Sequence, residues 1–481
     1  MPLEQKTFFI GGEWVLPSSP DRVTVSSAST EEVLGTSPLG READMDAAVA
    51  AARRAFDDPC GWSTWAPTDR AAVLRRLADA LDARADELTR LISSENGMPL
   101  TLSRGLEGAV PSMLLRYYAD LACSVPVEER RDGLLGRPAV VRREPVGVVA
   151  AITPWNAPQT LASGKYAPAL AAGATVVLKP SPETALDAVL FAEAVADAGV
   201  PDGVVNVVPA GREVGAYLVA HPGVDKVAFT GSSSAGRAIA ETCGRLLRPV
   251  TLELGGKSAA IVLEDADLDS KAVQQEFVAA TLLNNGQACF ASTRILAPRS
   301  RYAEVVEAVS ALAASLTVGD PLDLDTHVGP LVSEQQRDRV EGYIAKGRAE
   351  GSRVTVGGGR PAHLDRGWYV EPTVFADVDN RQVIAQEEIF GPVLVITPYD
   401  DELQAVRLAN DSQFGLAGSV WTRDAEHGLE IARRVRTGSF GVNRYMTDPI
   451  APFGGVKASG IGRELGPEGL AGYQDLKSVY L

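Results

Sequence analysis

The stretch VGVVAAITPW, residues 146–155, is the clearest sign of the architecture, because it is a short apolar run that ends in polar and turn-forming residues. Three similar runs follow it: TVVLKP at 175–180, KVAFTG at 226–231 and VTLELGGK at 250–257. Segments of helical length separate these runs, which predicts alternating strands and helices. Such a βαβ series is typical of a parallel, doubly wound sheet with helices on both faces.

A second alternating series begins after Lys257, with a predicted strand at 259–263 and a predicted helix at 269–283. The fold class is therefore α/β, with two doubly wound open sheets. Ligands of such sheets bind beyond the carboxyl ends of the strands. Further helices, predicted from apolar periodicity, cover Glu42–Phe56, Thr68–Asn96, Leu102–Leu121, Tyr302–Leu316, Glu334–Glu350, Asp401–Ala409 and Ala425–Val435.

The charge of the chain restricts its partners. Its 481 residues include 62 acidic and 46 basic side chains, for a net charge of −16. This balance argues against nucleic acid and against an anionic membrane as partners, because both need a dense basic surface. No apolar run approaches the ~20 residues that span a bilayer.

The cysteines and the N-terminus favour a cytoplasmic protein. The N-terminal residues carry charges around a short apolar run, without the apolar core of an export signal. Cys60, Cys123, Cys243 and Cys289 are far apart and form no CxxC pair, which argues against a disulfide framework. No cysteine or histidine spacing indicates a metal site, and we expect none.

Cys289 is the first candidate for chemistry. It lies in NNGQACF, residues 284–290, just after a predicted helix. A glycine-containing loop can expose the sulfur and present backbone amides to it, which favours the thiolate. A lone cysteine is more often a small buried core residue, so this position alone leaves both interpretations open.

Other candidates stand at the predicted strand ends. Glu253 is a carboxylate at a buried strand end, which is costly unless it is paired, protonated or functional. The glycine- and serine-rich turn 231–236 leads into a helix, whose free amides can bind phosphate. Lys179 and Asn156 follow two other strands. Each of these signals also has an ordinary structural explanation as a turn, cap or surface residue.

In order and spacing, these segments together resemble the aldehyde dehydrogenase superfamily, over nearly the whole chain. The resemblance rests on seven motifs: Pro154-Trp155-Asn156, Lys179-Pro180-Ser181, Phe229-Thr230-Gly231-Ser232, Leu252-Glu253-Leu254-Gly255-Gly256-Lys257, Gly286-Gln287-Ala288-Cys289, Glu387-Glu388-Ile389-Phe390-Gly391-Pro392, and Pro452-Phe453-Gly454-Gly455-Val456-Lys457-Ala458-Ser459-Gly460.

The resemblance implies an NAD(P)-dependent, non-acylating aldehyde dehydrogenase. Cys289 would attack the aldehyde carbon and form a thiohemiacetal. The side-chain amide of Asn156 and the backbone N–H of Cys289 would hold the oxyanion. Hydride transfer would leave a thioester, and Glu253 would act as general base on the water that releases the carboxylic acid. Burial would raise the pKa of Glu253.

The same resemblance implies a cofactor site, with NAD as the preferred cofactor. Lys179 would meet the adenine ribose, and Glu388 the nicotinamide ribose. Many NAD-preferring members have a glutamate three residues after this lysine, whereas this chain has Pro182 there and Glu183 next. The missing carboxylate leaves NADP open as an alternative. The implied cofactor-binding residues are Ile152, Thr153, Pro154, Trp155, Lys179, Ser181, Gly211, Gly231, Ser232, Leu254, Gly255, Glu388 and Phe390.

The implied substrate site departs from the family pattern. Many members have large aromatic residues at the positions of Ala157 and Gly164 and an aromatic residue at Thr447. Smaller side chains imply a wider tunnel, walled by Phe290 and Phe453. We therefore expect a bulky, apolar aldehyde, terpenoid or aromatic. The alternative is that other loops refill the space.

The resemblance also implies domains and an assembly. Residues 1–122 and 146–255 would form a Rossmann-like coenzyme-binding domain, and 256–460 the catalytic domain. Residues 123–145 and 461–481 would form a small β oligomerisation element, which implies a homodimer or homotetramer.

Three other functions compete with this hypothesis. A coenzyme A-acylating aldehyde dehydrogenase commonly lacks a glutamate at the position of Glu253. A cysteine hydrolase without a redox step would need a supporting histidine, which no motif supplies. A binding protein that has kept only the fold would not need Cys289, Glu253 and Asn156 together.

Overall fold

The structure is a computed structural model that describes residues 2–481. Short strands and helices alternate along most of the chain. The helices are α1 Glu42–Asp57, α2 Pro67–Asp82, α3 Ala85–Asn96, α4 Leu100–Leu106, α5 Val110–Ser124, α6 Pro158–Ala172, α7 Asp187–Asp197, α8 Arg212–Ala220, α9 Ser233–Arg245, α10 Lys271–Thr281, α11 Tyr302–Ser315, α12 Glu334–Ala349, α13 Val383–Gln386, α14 Glu402–Asn410, α15 Ala425–Ala432 and α16 Gly466–Ala471.

The strands form two large sheets and two small ones within residues 2–481. They are β1 Leu3–Glu4, β2 Phe8–Ile10, β3 Glu13–Val15, β4 Arg22–Ser26, β5 Val33–Pro38, β6 Glu128–Arg131, β7 Ala139–Pro145, β8 Val148–Ile152, β9 Thr175–Lys179, β10 Val205–Val207, β11 Lys226–Thr230, β12 Val250–Glu253, β13 Ala259–Val262, β14 Arg294–Pro298, β15 Arg353–Val356, β16 Thr373–Ala376, β17 Val393–Tyr399, β18 Gly418–Trp421, β19 Gly441–Val442, β20 Gly460–Ile461 and β21 Gln474–Tyr480.

The first large sheet has the order β20-β12-β11-β8-β9-β10-β2-β3. Strands β8 to β12 are parallel, whereas β2, β3 and β20 are antiparallel additions. Every residue of β8, β9 and β11 is buried, as expected for parallel strands covered by helices on both faces. The carboxyl ends of β12, β11, β8 and β9 therefore lie side by side.

The second large sheet has the order β15-β16-β17-β14-β13-β18-β19. All of its strands are parallel except β15 at one edge. Strand β13 follows β12 after a short connection, so the two sheets are consecutive along the chain at residues 253–259. The predicted α/β class with two doubly wound sheets is confirmed.

The two small sheets are antiparallel or mixed. One has the order β1-β5-β4, and the other joins β21 to β7 and β6. In the second of these, residues 474–480 pair with 139–145 along the whole length of both strands. The pairing brings together the two segments that the sequence assigned to an oligomerisation element.

Two predicted helices are each broken in the structure. The predicted helix 68–96 consists of α2 and α3, because Arg84 adopts φ −107° and ψ 2° and turns the chain. The predicted helix 102–121 consists of α4 and α5, and Pro111 lies in the first turn of α5. Proline suits a first turn and disrupts a helix interior, so the chain restarts there.

Helix α6 carries the segment after Asn156 into the interior. It starts with Pro158 in its first turn and ends at Gly173, whose φ of +98° is left-handed. Both are standard helix boundary signals. Nearly all of α6 is buried, because it packs between the first sheet and helices α2 and α5. No helix within residues 2–481 is both long and apolar enough to cross a bilayer.

Candidate active site

A cavity of about 420 Å³ lies next to Cys289. It extends between α4, α5 and α6 on one side and the segment around Cys289 on the other. The structure brings together Asn156, Cys289 and all five predicted substrate residues in its wall. These five are Ala157, Gly164, Phe290, Thr447 and Phe453. The sequence did not predict the apolar residues of α4 and α5 that also line the cavity, which include Leu102, Leu106, Val110, Met113 and Leu114.

The thiol of Cys289 follows a tight turn. Residues 283–286 form this turn, in which Asn284 and Asn285 adopt left-handed backbone angles, and the cysteine comes three residues later. Burial and the nearby carboxylates of Glu388 and Glu253 raise the pKa of the thiol far above its ordinary value, and the amides of Cys289 and Phe290 lower it by less. In this structure burial and negative charge oppose the effect of the local amides that the sequence predicted to favour the thiolate.

Asn156 lies just before α6, and polar contacts hold it on both sides. Its side-chain Nδ2 donates to the carbonyl of Gln287 at 2.9 Å, two residues before Cys289. Its backbone carbonyl accepts from the side chains of Asn284 at 2.8 Å and Asn96 at 3.2 Å. The candidate oxyanion donor is thus tied directly to the segment that carries the cysteine.

Glu253 is 2% exposed at the end of β12 and does not line the cavity itself. Its carboxylate is packed closely against Gly454, where an added Cβ would lie 2.6 Å from Oε1. Neither carboxylate oxygen has a hydrogen-bond partner within residues 2–481. Burial raises the pKa of Glu253 well above its usual range, as predicted, and the charge of Glu464 raises it further.

A buried ion pair stands beside these groups. Lys165 Nζ lies 2.7 Å from Glu464 Oε1 and also donates to the hydroxyl of Thr230. Both charged side chains are almost fully buried, and Glu464 lines the cavity. The sequence analysis predicted neither residue as part of the site. The two residues are 299 positions apart, so no local pattern could have linked them.

The predicted adenosine side lies at the end of β9. Lys179 is buried and donates to the carbonyls of Ala210 at 2.7 Å and Pro180 at 3.1 Å. The pKa of this lysine is lowered to about 8. Burial is the main cause of the shift, and the negative charge of Glu183 acts in the opposite direction. The hydroxyl of Ser181 donates to the Glu183 carboxylate. Gly211 precedes α8, and a Cβ there would meet no atom within 4 Å.

The predicted phosphate side lies at the end of β11. Ser232 caps α9 by accepting from the amide of Ala235 at 3.3 Å. A Cβ on Gly231 would lie 2.5 Å from the ring of Phe229, so a larger residue in this turn would have to displace that ring. The structure therefore has the free amides of a helix N-terminus at the carboxyl edge of the first sheet.

The predicted nicotinamide side is built around Glu388. Its Oε1 accepts from the amide of Gly256 at 3.0 Å, and a Cβ on Gly255 would lie 2.2 Å from Oε2. Burial raises the pKa of Glu388 to about 7. The rings of Phe390 and Trp155 meet edge to face, with centroids 5.4 Å apart. The remaining predicted cofactor residues, Ile152, Thr153, Pro154 and Leu254, are in or next to β8 and β12.

The potential metal ligands within residues 2–481 are not grouped as a metal site would require. Across residues 2–481 there is no group of three or more His, Cys, Asp or Glu side chains placed to hold a metal ion.

Comparison with known proteins defines the class of this fold and site. Residues 14–479 match the aldehyde dehydrogenase family, and the chain belongs to that family. It is 56% identical to the geranial dehydrogenase of Castellaniella defragrans over 481 residues, which cover the whole of both chains. The recognition of the family from its motifs is confirmed, and the protein is an aldehyde dehydrogenase.

Solved structures agree with this assignment. The structure superposes on an aldehyde dehydrogenase of Mycobacterium tuberculosis complexed with NAD⁺, with a TM-score of 0.97, 50% identity and coverage of 100% of this chain and 99% of the other. It also matches an aldehyde dehydrogenase C mutant of Pseudomonas syringae complexed with NAD⁺ and octanal. That match has a TM-score of 0.94 and 41% identity, and covers 98% of this chain and 96% of the other.

Proposed function

We propose that this protein oxidises a bulky, apolar aldehyde, terpenoid or aromatic, to its carboxylic acid with NAD. The observation that carries the proposal is the 420 Å³ cavity, which has Cys289 in its wall and mostly apolar side chains around it. Burial of an apolar chain there is favoured by about 25 cal/mol per Å² of surface removed from water. The similarity to a geranial dehydrogenase supports a terpenoid aldehyde.

In the proposed mechanism the Cys289 sulfur bonds to the aldehyde carbon. The raised pKa of the thiol means that a base must take its proton. Glu253 is a nearby carboxylate that can take this proton and pass it to solvent, which leaves it unprotonated for the second half of the reaction. The aldehyde oxygen becomes an oxyanion, which the Asn156 amide and the Cys289 backbone N–H stabilise.

The second half of the reaction releases the acid. Bound NAD supplies the acceptor for the hydride that leaves the substrate carbon. The resulting acyl group stays on Cys289 as a thioester. Glu253 then takes a proton from water, whose oxygen bonds to the acyl carbon as the carbon–sulfur bond breaks. The thiolate is regenerated and the carboxylic acid departs.

The residues along the first sheet fit a dinucleotide. Lys179, the α9 N-terminus after Ser232 and Glu388 stand near the carboxyl ends of the strands, where such sheets bind ligands. Lysine and free helix amides suit ribose hydroxyls and a pyrophosphate. We therefore assign the predicted cofactor residues to NAD, and the NAD⁺ complexes of similar structures support this choice.

The first experiment measures NADH formation from geranial and NAD by the purified full-length protein. We expect steady NADH formation without coenzyme A, together with geranic acid as the product. A strict requirement for coenzyme A would instead assign the acylating reaction. Hydrolysis of esters without any NADH formation from aldehydes would assign a cysteine hydrolase.

The width of the cavity is tested by Ala157→Phe. Ala157 lies in the cavity wall beside Asn156, so a phenyl ring there takes up space that a bulky aldehyde needs. We expect kcat/KM for geranial to fall about 10-fold or more, since steric misfit in a pocket is worth about 1–3 kcal/mol. Acetaldehyde is the internal control and keeps its kcat/KM. Equal losses for both aldehydes would contradict a wide tunnel.

Cofactor choice is tested by Glu183→Gln. The Glu183 carboxylate accepts a hydrogen bond from Ser181 and raises the pKa of Lys179, so we propose that it acts in place of the glutamate that is missing at position 182. A carboxylate there repels a 2′-phosphate, as at the ribose ends of other dinucleotide sites. We expect the ratio of kcat/KM with NADP to that with NAD to rise about 10-fold. Glu87→Gln, on the exposed face of α3, is the matched control.

The β21-β7-β6 sheet is proposed as the oligomerisation element of a homodimer or homotetramer. Leu476 and Tyr480 on β21 are 67% and 84% exposed, which is unusual for apolar side chains on a strand. Light scattering of the full chain distinguishes dimer from tetramer. We also propose the domain boundaries predicted above, and a cytoplasmic location, which the four unpaired cysteines support.

A further inference from the structure

Three consecutive residues before Cys289 adopt left-handed backbone conformations. The φ angles are +52° for Asn284, +60° for Asn285 and +74° for Gly286. Glycine adopts such angles freely, and asparagine tolerates them better than most other residues. Both asparagines are buried, at 5% and 0% exposure. A strained, buried turn next to a reactive cysteine suggests that its side chains have a specific task.

Asn284 contacts both the backbone of Asn156 and the segment that leads to Cys289, which together form the candidate oxyanion site. Its Nδ2 donates to the carbonyl of Asn156 at 2.8 Å and lies 3.4 Å from the carbonyl of Gln287. The Asn156 Nδ2 donates to that same Gln287 carbonyl at 2.9 Å. Asn284 therefore bridges the backbone of Asn156 and the segment that leads to Cys289.

Asn285 has the same backbone conformation and contacts different parts of the chain. Its Nδ2 donates to the carbonyls of Gly97 at 2.8 Å and Pro330 at 2.9 Å. Its Oδ1 accepts from the amide of Gly329 at 2.7 Å. Asn285 anchors the turn to the surrounding protein, and it has no hydrogen bond to Asn156 within residues 2–481.

We propose that Asn284 is a positioning residue that fixes the Asn156 amide relative to the Cys289 sulfur. This inference rests on the proposed role of Asn156 as oxyanion donor. An oxyanion donor works only at about 2.7–3.1 Å from the developing charge, so a small rotation of Asn156 removes its effect. Asn284 holds the backbone carbonyl of Asn156 at a set distance from the turn that leads to Cys289, and this fixes the point from which the Asn156 side chain reaches the site.

A double-mutant cycle separates positioning from ordinary structural support. Asn284→Gly removes the side chain and keeps a residue that accepts a left-handed φ. Asn156→Ala removes the donor and leaves the backbone carbonyl that Asn284 binds. The assay is single-turnover NADH formation with geranial and saturating NAD, and the melting temperature of each variant is measured beside it.

We expect Asn156→Ala to reduce the hydride-transfer rate about 10²–10³-fold, as the loss of one oxyanion donor does in other enzymes. Asn284→Gly alone is expected to reduce it about 10-fold, with little change in KM, because a displaced group costs rate more than binding. The double variant should be within about twofold of Asn156→Ala, because Asn284 acts only through that amide. The melting temperature should fall equally in both backgrounds.

Asn285→Gly is the matched control, with the same change at the next left-handed position. Its effect on the rate is expected to multiply with that of Asn156→Ala, because it contacts other segments. If Asn284→Gly does not fold, Asn284→Asp serves instead, since it removes the Nδ2 donor and keeps the size of the side chain.

Three results would overturn the inference. A wild-type rate in Asn284→Gly would show that the contact does not position the donor. If the rate reduction caused by Asn284→Gly is equally large in the Asn156→Ala background, the two effects multiply, and Asn284 is a general structural residue. Both results leave the proposed function intact if Asn156→Ala is impaired. A wild-type rate in Asn156→Ala itself would overturn the oxyanion assignment, and with it this inference.

Discussion

Cys289→Ala is expected to lose aldehyde oxidation almost completely, by about 10⁴-fold or more in kcat, because no bond between enzyme and substrate can form. In the structure Cys289 lines the cavity together with Asn156, whose amide is proposed to hold the oxyanion. The alanine variant keeps that amide and the cavity. It should therefore still bind geranial with nearly unchanged affinity.

The measurement combines single-turnover NADH formation with mass spectrometry of the protein. Wild-type enzyme quenched during turnover should carry the mass of one acyl group, and the alanine variant should carry none. Cys123→Ala is a suitable control, because Cys123 is an exposed residue on α5. Acylation of Cys289→Ala, or turnover near the wild-type rate, would exclude Cys289 as the nucleophile.

Glu253→Gln is expected to block thioester hydrolysis, and to slow thioester formation as well if Glu253 alone takes the thiol proton. Glutamine keeps the size of the side chain and cannot take a proton from water, so the thioester on Cys289 should persist. We expect steady-state kcat to fall about 10²–10⁴-fold, the usual contribution of a positioned general base. A burst of NADH close to one equivalent per active site should remain if another group removes the thiol proton.

The size of the NADH burst in Glu253→Gln also shows whether Glu253 takes the thiol proton in addition to the proton of water. Loss of the burst together with kcat would mean that Glu253 also takes the proton of the Cys289 thiol, whose pKa is raised. Acyl-enzyme that forms and hydrolyses at the wild-type rate in Glu253→Gln would contradict any role as base. Stopped-flow absorbance and mass spectrometry distinguish the three outcomes.

The pH dependence of wild-type turnover follows from the same residue. Burial and the charge of Glu464 raise the pKa of Glu253 well above its usual range. The carboxyl group is protonated, and inactive as a base, below that raised pKa. The rate of thioester hydrolysis should therefore fall as the pH drops through it, and Glu253→Gln should lack this limb of the profile.

Local sequence patterns predicted some features of the protein and not others. The positions of Lys179, Thr230 and Glu253 at strand ends could be predicted, because buried apolar runs with polar termini indicate parallel strands. The break between α2 and α3 could not, because the apolar spacing continues across residues 83–84. The apolar periodicity of a helix indicates which of its faces is buried. It does not reveal a break in the helix when the apolar spacing continues on both sides of that break.

The amino-acid sequence by itself determined the family, the order of strands and helices, and which residue types stand at the strand ends, since these depend on neighbours along the chain. Only the tertiary structure revealed the carboxylates that act on the Cys289 thiol, the Lys165–Glu464 ion pair and the contact of Asn284 with Asn156. Those properties depend on burial and on charges from distant segments. The pKa of Cys289 in particular is raised by Glu388, which lies 99 positions further along the sequence.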